Sequence, residues 1–114
     1  TSLKRKYSNA TTTICHSGTN NISYYTKQAD VVILALGYPQ FLKGKDIKLG
    51  AIVIDVGINR VKNTETNTYK LLGDCEESSI KGKASSLTPV PGGIGPMTIA
   101  MLVENTIEAA EMEL

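Results

Sequence analysis

Residues 31–37 read Val31-Val32-Ile33-Leu34-Ala35-Leu36-Gly37, an apolar run that ends at a glycine. A second run of the same kind occupies residues 51–57 and ends at Gly57. Nearly continuous apolar runs are typical of parallel strands that helices cover on both faces. Open α/β sheets bind ligands at the carboxyl ends of such strands, and a glycine there lets a ligand approach the backbone. Glycines with a purely structural role in a turn would look the same.

The segments around these runs alternate between helical and strand patterns. We predict the end of a helix over residues 3–8, a β-branched strand over 11–16, a polar helix or helical turn over 21–28 and an exposed excursion or hairpin tip over 63–68. A long helix follows near the end, and we expect its apolar stripe to be buried; the stripe comprises Ile99, Leu102, Val103, Thr106, Ile107 and Ala110.

This order predicts a Rossmann-type, doubly wound parallel α/β sheet in three layers. The first strand of such a fold and its glycine-rich phosphate loop have no counterpart here, since the sequence contains no G-x-G-x-x-G pattern. That strand is central in the usual order, so its loss would leave neighbouring strands unpaired. We therefore expect residues 1–114 to be a partial domain of a longer protein.

Composition excludes several classes of function. The 114 residues carry a formal net charge of +1, which gives no electrostatic footprint for nucleic acid or an anionic membrane. No apolar run approaches the length of a membrane span. Cys15 and Cys75 are far apart in sequence and lack the further ligands of a zinc site, so we predict no metal and a reducing, intracellular environment.

A second informative segment, residues 88–98, combines three glycines with three prolines directly before the long helix. We call it the Pro-Gly-Gly loop. Proline restricts φ while glycine permits conformations closed to other residues, so the loop is expected to be rigid and sharply turned, with exposed N–H groups. Pro96 suits the first turn of a helix that starts near Met97, where the N–H groups favour an anionic or electron-rich ligand. The alternative is an ordinary loop-to-helix turn.

In order and spacing, the chain resembles the bifunctional methylenetetrahydrofolate dehydrogenase/cyclohydrolase family. The matching segments are residues 13–19, 28–39, 50–59, 72–74 and the Pro-Gly-Gly loop. The resemblance covers nearly the whole chain and implies the C-terminal, NAD(P)-binding domain of that enzyme. It further implies an N-terminal catalytic domain outside this chain, a homodimer formed through this domain, and a role in one-carbon metabolism and purine biosynthesis.

The implied chemistry is oxidation of 5,10-methylenetetrahydrofolate by NADP, followed by hydrolysis of the methenyl product to 10-formyltetrahydrofolate. The family's catalytic lysine lies in a Tyr-x-x-x-Lys motif that is absent here, so no catalytic residue is assigned to this chain. The resemblance implies folate contacts from Pro91, Gly92, Gly93, Gly95, Pro96 and Met97. It implies cofactor contacts from Ser17, Gly37, Gly57, Ile58 and Thr98.

The choice of cofactor rests on residues 16–19. NAD-specific sites commonly place a carboxylate near the end of the second strand, but His16, Ser17, Gly18 and Thr19 stand there instead. NADP is therefore expected over NAD, with Ser17 donating a hydrogen bond to the 2′-phosphate. Gly18 departs from relatives that carry lysine or arginine, so one charge-assisted contact is missing. His16 itself is expected only to cap or pack against a strand.

Other interpretations remain open at this stage. A non-catalytic nucleotide-binding or dimerisation module would preserve the same fold, and a different NAD(P)-dependent dehydrogenase would make the Pro-Gly-Gly loop a coincidence. Asp55 and Asp74 are candidates for acid/base groups, but structural roles are expected for both, because Asp55 lies in a buried strand and Asp74 follows a turn. The expected location is the cytoplasm, or the mitochondrion if a transit peptide precedes Thr1.

Overall fold

A computed structural model of the chain describes residues 10–113. The predicted helix at residues 3–8 lies outside this range. The helices and strands are α1 (Ile22–Thr26), β1 (Val31–Leu34), a 3-10 turn (Gly44–Asp46), β2 (Ile52–Asp55), β3 (Asn59–Asn63), β4 (Thr68–Leu72), α2 (Glu77–Ile80), β5 (Ser86–Leu87) and α3 (Ile94–Glu113).

The main sheet has the order β1-β2-β5, and both neighbouring pairs are parallel. Val31 is paired with Ile52 and Leu34 with Asp55, so β1 and β2 end at the same level. Segments carrying α1, the 3-10 turn and α2 alternate with these strands, as an α/β fold with a parallel sheet requires. Each apolar run is longer than its strand, since both strands end before the glycine that follows.

The two faces of the sheet differ, which corrects the prediction that helices cover both. Side chains on one face are buried, and they form the core with residues of the following segments: Val32, Leu34, Leu42, Ile47, Ala51, Val53, Cys75 and Ile80. On the other face, Ile33 is 65% exposed and Val31 46% exposed. Alternation along a strand sends successive side chains to opposite faces. Within residues 10–113, no helix covers the second face.

Residues 11–16 do not form the predicted strand. The β-branched composition favours extended backbone, but a strand also needs a neighbour to accept and donate its backbone hydrogen bonds. No strand within residues 10–113 pairs with this segment. The polar helix predicted at residues 21–28 is confirmed as α1.

The exposed hairpin predicted around residues 63–68 is confirmed. Strands β3 and β4 pair antiparallel, with Asn63 opposite Thr68, and form a sheet of their own. Asn67 adopts a positive φ of 53° in the connecting turn, a conformation that asparagine tolerates. The Arg60 guanidinium lies 4.0 Å from the centre of the Tyr69 ring, so a cation–π contact joins the two strands on one face.

Helix α3 begins at Ile94, three residues before the predicted start, and Pro96 lies in its first turn as expected. Its apolar stripe is exposed rather than buried, which corrects a second prediction: Leu102 is 66% and Ile99 67% exposed. The periodic pattern identified the helix correctly, but a stripe is buried only where another element packs on it. No described element covers this stripe. No helix within residues 10–113 has the length and apolarity needed to cross a membrane.

Packing between α2 and the 3-10 turn leaves no room beside Gly44. Its N–H donates to the Ser79 hydroxyl at 2.9 Å, and a Cβ at this position would lie 2.3 Å from the Ser79 carbonyl oxygen. By contrast, a Cβ at Gly82 would meet nothing within 4 Å.

We predict that Gly44→Ala destabilises the protein by about 1–3 kcal/mol, because the backbone of α2 must move to accept the methyl group. Gly82→Ala is the matched control and should change stability by less than about 0.5 kcal/mol. Thermal melting of the two variants beside the wild type measures the difference. Equal melting temperatures would show that the contact between the 3-10 turn and α2 is loose.

Cys75 is part of the core and only 7% exposed. Burial is the main cause that raises the pKa of its thiol to about 12, and the hydrogen bond and negative charge of Asp55 act in the same direction. The thiolate is the reactive form of cysteine, so this thiol is inert near neutral pH. Cys15 is half-buried, and neither cysteine forms a disulfide.

We predict that a thiol reagent at about pH 8 labels Cys15 in the folded protein and leaves Cys75 unmodified until the protein unfolds. Peptide mapping by mass spectrometry distinguishes the two sites, and labelling in denaturant provides the fully reacted control. Labelling of both thiols at similar rates in the folded protein would contradict the buried, protonated state of Cys75.

Candidate functional site

The carboxyl ends of the parallel strands bring several predicted site residues to one edge of the sheet. Gly37 follows β1, Gly57 and Ile58 follow β2, and the Pro-Gly-Gly loop follows β5. Ile58 is 57% exposed, and its Cδ1 lies 4.0 Å from the position that a Cβ on Gly95 would take. The start of α3 therefore approaches the loop after β2.

Asp55, at the end of β2, organises the base of this edge. It is 1% exposed, and its carboxylate accepts hydrogen bonds from the N–H groups of Gly57, Asp74 and Cys75, each at 3.0 Å. The N–H of Asp55 donates to the Thr88 hydroxyl at 2.8 Å. The Asp55 side chain thereby connects β2 to the segment after β4, and its backbone N–H connects β2 to the start of the Pro-Gly-Gly loop.

Asp74 is fully buried and connects the loops after β1 and β2. Its Oδ2 accepts the N–H groups of Leu36 at 2.7 Å and Gly37 at 3.2 Å, while its Oδ1 accepts the Asn59 amide at 2.8 Å. The lone pairs of a buried carboxylate need such donors, since burial without them is costly. Both aspartates therefore have structural partners, in agreement with the sequence-based expectation.

Two glycines make this arrangement sterically possible. A Cβ on Gly57 would lie 2.2 Å from the Asp74 carboxyl carbon, and a Cβ on Gly73 would lie 2.1 Å from an Asp55 carboxylate oxygen. The space beside Gly57 is thus occupied by Asp74, whereas the sequence predicted that a ligand would approach the backbone there. The contact of Gly57 with a cofactor stays a prediction, and its N–H is already donated to Asp55.

Gly37 and Gly92 differ from Gly57 because the space around each is open. Gly37 has a φ of +72° and Gly92 a φ of +97°, and a Cβ on either would meet nothing within 4 Å. Positive φ is a conformation that glycine adopts at little cost. These two positions keep the free backbone surface that a close ligand requires, and the predicted contacts there are sterically possible.

The rest of the Pro-Gly-Gly loop is compact. The Val90–Pro91 peptide is cis, and a Cβ on Gly93 would lie 2.3 Å from the Pro89 carbonyl oxygen. Met97 is 55% exposed, and the Pro91 and Pro96 side chains are also exposed. The loop leads into the first turn of α3, a helix of 20 residues whose N-terminal N–H groups favour an anion. The Thr98 hydroxyl donates to the Ile94 carbonyl at 2.8 Å, which leaves its oxygen as an acceptor.

Ser17 is exposed in a tight turn that precedes α1. The turn is closed by hydrogen bonds between His16 and Thr19 in both directions, each 2.9 Å long. The Gly18 N–H donates to His16 Nδ1 at 3.0 Å. His16 therefore stabilises its own turn rather than packing in the sheet. No carboxylate belongs to this turn, so Ser17 can meet an anion without repulsion.

Sequence reasoning missed the roles of three residues at this base: Asn59 and Thr88, which hydrogen bond to the aspartates, and Gly73, which leaves room for the Asp55 carboxylate. The only available signal was their position, since each stands beside a strand end and next to a residue already singled out. A cavity of about 520 Å³ was also missed; residues that line it include Gln40, Lys70, Glu77, Lys81 and Val90. None of the residues predicted to contact the cofactor or the folate lines this cavity, but Asp55 and Thr88 do. The described part of the chain contains no cluster of metal-ligating side chains.

Comparison with known proteins identifies the family. Residues 1–114 match the family described as tetrahydrofolate dehydrogenase/cyclohydrolase, NAD(P)-binding domain. The bifunctional protein FolD of Chloroherpeton thalassium is 53% identical over 109 residues, which cover 95% of this chain and 37% of that protein. The FolD of Acetivibrio thermocellus is 54% identical over 105 residues, which cover 92% of this chain and 35% of the relative.

Solved structures agree with this result. The FolD methylenetetrahydrofolate dehydrogenase/cyclohydrolase of Campylobacter jejuni has a TM-score of 0.79 and 48% identity, covering 92% of this chain and 36% of that one. The Trypanosoma brucei enzyme, solved with NADP and an inhibitor, has a TM-score of 0.68 and 41% identity, covering 75% of this chain and 29% of that one. This chain thus spans little more than a third of the relatives' length. The chain belongs to the tetrahydrofolate dehydrogenase/cyclohydrolase family and corresponds to its NAD(P)-binding domain.

Proposed function

We propose that this chain is the cofactor-binding part of an enzyme that oxidises 5,10-methylenetetrahydrofolate with NADP and hydrolyses the methenyl product to 10-formyltetrahydrofolate. Family membership supports the reaction, and the curated relatives are named bifunctional proteins. One structural observation carries the proposal: the exposed loops after β1 and β2 and the start of α3 lie at one edge of the sheet, with Ile58 against Gly95. Ligands of open α/β sheets bind at this edge.

The residues at this edge fit a dinucleotide. The open backbone at Gly37 and the exposed Ile58 would contact the cofactor, and Thr98 would contribute an acceptor near the helix N-terminus. Gly57 would contribute to cofactor binding through Ile58, which it directly precedes in the chain. When bound, NADP supplies the hydride acceptor for the oxidation. The protein's part is to bind and orient it.

We propose NADP over NAD. The Trypanosoma brucei relative was solved with NADP. In this chain the exposed Ser17 would donate its hydroxyl to a 2′-phosphate, and the turn around it carries no acidic side chain to repel one. Gly18 leaves that phosphate without a guanidinium or ammonium partner from this turn, so the expected preference is moderate.

The folate would lie against the Pro-Gly-Gly loop, in contact with Pro91, Gly92, Gly93, Gly95, Pro96 and Met97. The apolar stripe of α3 and the sheet face around Ile33 are both exposed. Exposed apolar surfaces of this kind favour contact with the rest of the protein or with a second copy. We propose that the N-terminal catalytic domain and a homodimer partner cover these surfaces. We also propose that the protein is located in the cytoplasm. The catalytic lysine would come from the N-terminal domain.

The experiment is an assay of the purified full-length gene product with methylenetetrahydrofolate and either NADP or NAD. We expect formation of NADPH and 10-formyltetrahydrofolate, and faster turnover with NADP than with NAD at equal concentration. Tight NADP binding without any turnover would favour the non-catalytic nucleotide-binding module instead. Absence of both binding and turnover would contradict the proposal.

We further predict that Gly93→Ala lowers kcat/KM for the folate substrate by about 5–150-fold, equivalent to about 1–3 kcal/mol. The added methyl group would collide with the Pro89 carbonyl, so the loop must abandon the shape that receives folate. The melting temperature of the ligand-free protein should change little, because the loop lies outside the core. Gly82→Ala, in an open turn, controls for glycine replacement. Normal kinetics with a large loss of stability would identify the loop as a structural turn.

A further inference from the structure

Asp74 is the only described side chain that hydrogen bonds both to the loop after β1 and to Asn59, which directly follows the loop after β2. One carboxylate oxygen holds the Leu36 and Gly37 N–H groups, and the other holds the amide of Asn59, the first residue of β3. Asn59 directly follows Ile58. The separation between the Gly37 backbone and Ile58 is therefore bridged by two hydrogen-bonded side chains.

We propose that Asp74 and Asn59 are a positioning pair that sets the relative placement of these two loops for cofactor binding. The inference rests on the proposed function, because it assumes that the cofactor contacts Gly37 and Ile58. Asp74 is fully buried beneath the loops, so it acts through the Gly37 backbone and Asn59 without touching the ligand.

The Asp74 carboxylate is itself held from several directions. Its N–H donates to Asp55, its carbonyl accepts the Leu42 N–H at 3.0 Å, and its carboxyl carbon packs against Gly57. A side chain anchored in this way keeps its position and restrains the loops that hydrogen bond to it. Fixed groups of this kind lower the ordering cost that a ligand would otherwise bear.

In the wild-type pair, Asp74 only accepts hydrogen bonds and Asn59 supplies the donor. Three N–H donors converge on its two oxygens, and Asp74 itself is fully buried. A second carboxylate at position 59 would place two acceptor groups of like charge face to face. Such an arrangement is unfavourable, because like charges repel and Asp74 loses the donor that Asn59 supplies.

Because Asn59 donates and Asp74 accepts, the pair can be tested by exchanging the two side chains in the full-length protein. Asn59→Asp should raise the Kd for NADP about tenfold or more. Combining Asn59→Asp with Asp74→Asn should return the Kd to within about threefold of wild type. The amide introduced at position 74 would accept the Leu36 and Gly37 N–H groups through its oxygen and donate its N–H to the carboxylate at position 59.

The matched control is Ile80→Val, a fully buried substitution in α2 that none of these hydrogen bonds involves. It should lower the melting temperature while changing the NADP Kd less than about twofold. All titrations are made well below each variant's melting temperature. If Asn59→Asp does not fold, Asn59→Ala removes the donor without adding charge and should raise the Kd about three- to tenfold.

The outcomes separate the two proposals. Wild-type protein that neither binds NADP nor oxidises methylenetetrahydrofolate would overturn the proposed function and the inference with it. Wild-type protein that does both, with Asn59 variants that bind NADP as well as Ile80→Val does, would overturn the inference alone. Failure of the double exchange to improve on Asn59→Asp would also overturn it. Recovery in the double exchange supports a specific pair, because a general loss of stability would accumulate with the second substitution.

Discussion

The strand ends of this domain depend on two buried carboxylates that accept backbone N–H groups. Asp55 and Asp74 together hold five peptide N–H groups and one side-chain amide, drawn from the loops after β1, β2 and β4. Each bond to a charged group contributes about 1.5–3 kcal/mol when well made, and a buried carboxylate without donors would be strongly destabilising. The network is therefore cooperative, because the loops supply the N–H donors that the carboxylates need and the carboxylates hold the loops in place.

The same network determines where glycine is required. Gly57 lies against Asp74, and Gly73 lies against Asp55, so each carboxylate occupies the space that a side chain on the other segment would fill. Glycines at strand ends are usually discussed as openings for a ligand. Here that description suits Gly37, which has a positive φ and open space where a Cβ would stand, whereas the space beside Gly57 is occupied by Asp74.

Sequence reasoning located the parallel strands, the hairpin tip, α1 and the last helix, because periodicity and turn chemistry are local properties. It could not determine what covers an apolar surface. The stripe on α3 and the outer face of β1 have the pattern of buried residues, yet Leu102 and Ile33 are exposed in the described part of the chain. The strand pattern also placed Gly37 at the ligand-binding edge, and the family resemblance added Ile58 and the Pro-Gly-Gly loop, but neither revealed the hydrogen-bonding roles of Asn59 and Thr88. A single amide or hydroxyl has no periodic signature, and its role follows only from the three-dimensional arrangement of backbone donors.

The same arrangement suits a domain whose proposed role is to bind and orient the cofactor. A general acid or base needs a proton it can exchange with a substrate within hydrogen-bonding reach. The two carboxylates at the strand ends are buried and surrounded by peptide N–H groups, and burial raises the pKa of the nearby Cys75 thiol to about 12. Groups held in this way give a rigid base, which is what a cofactor site needs if the reacting ring is to be placed accurately. Because both carboxylates are buried and their oxygens accept N–H groups of the protein itself, neither is within reach of a substrate for proton exchange.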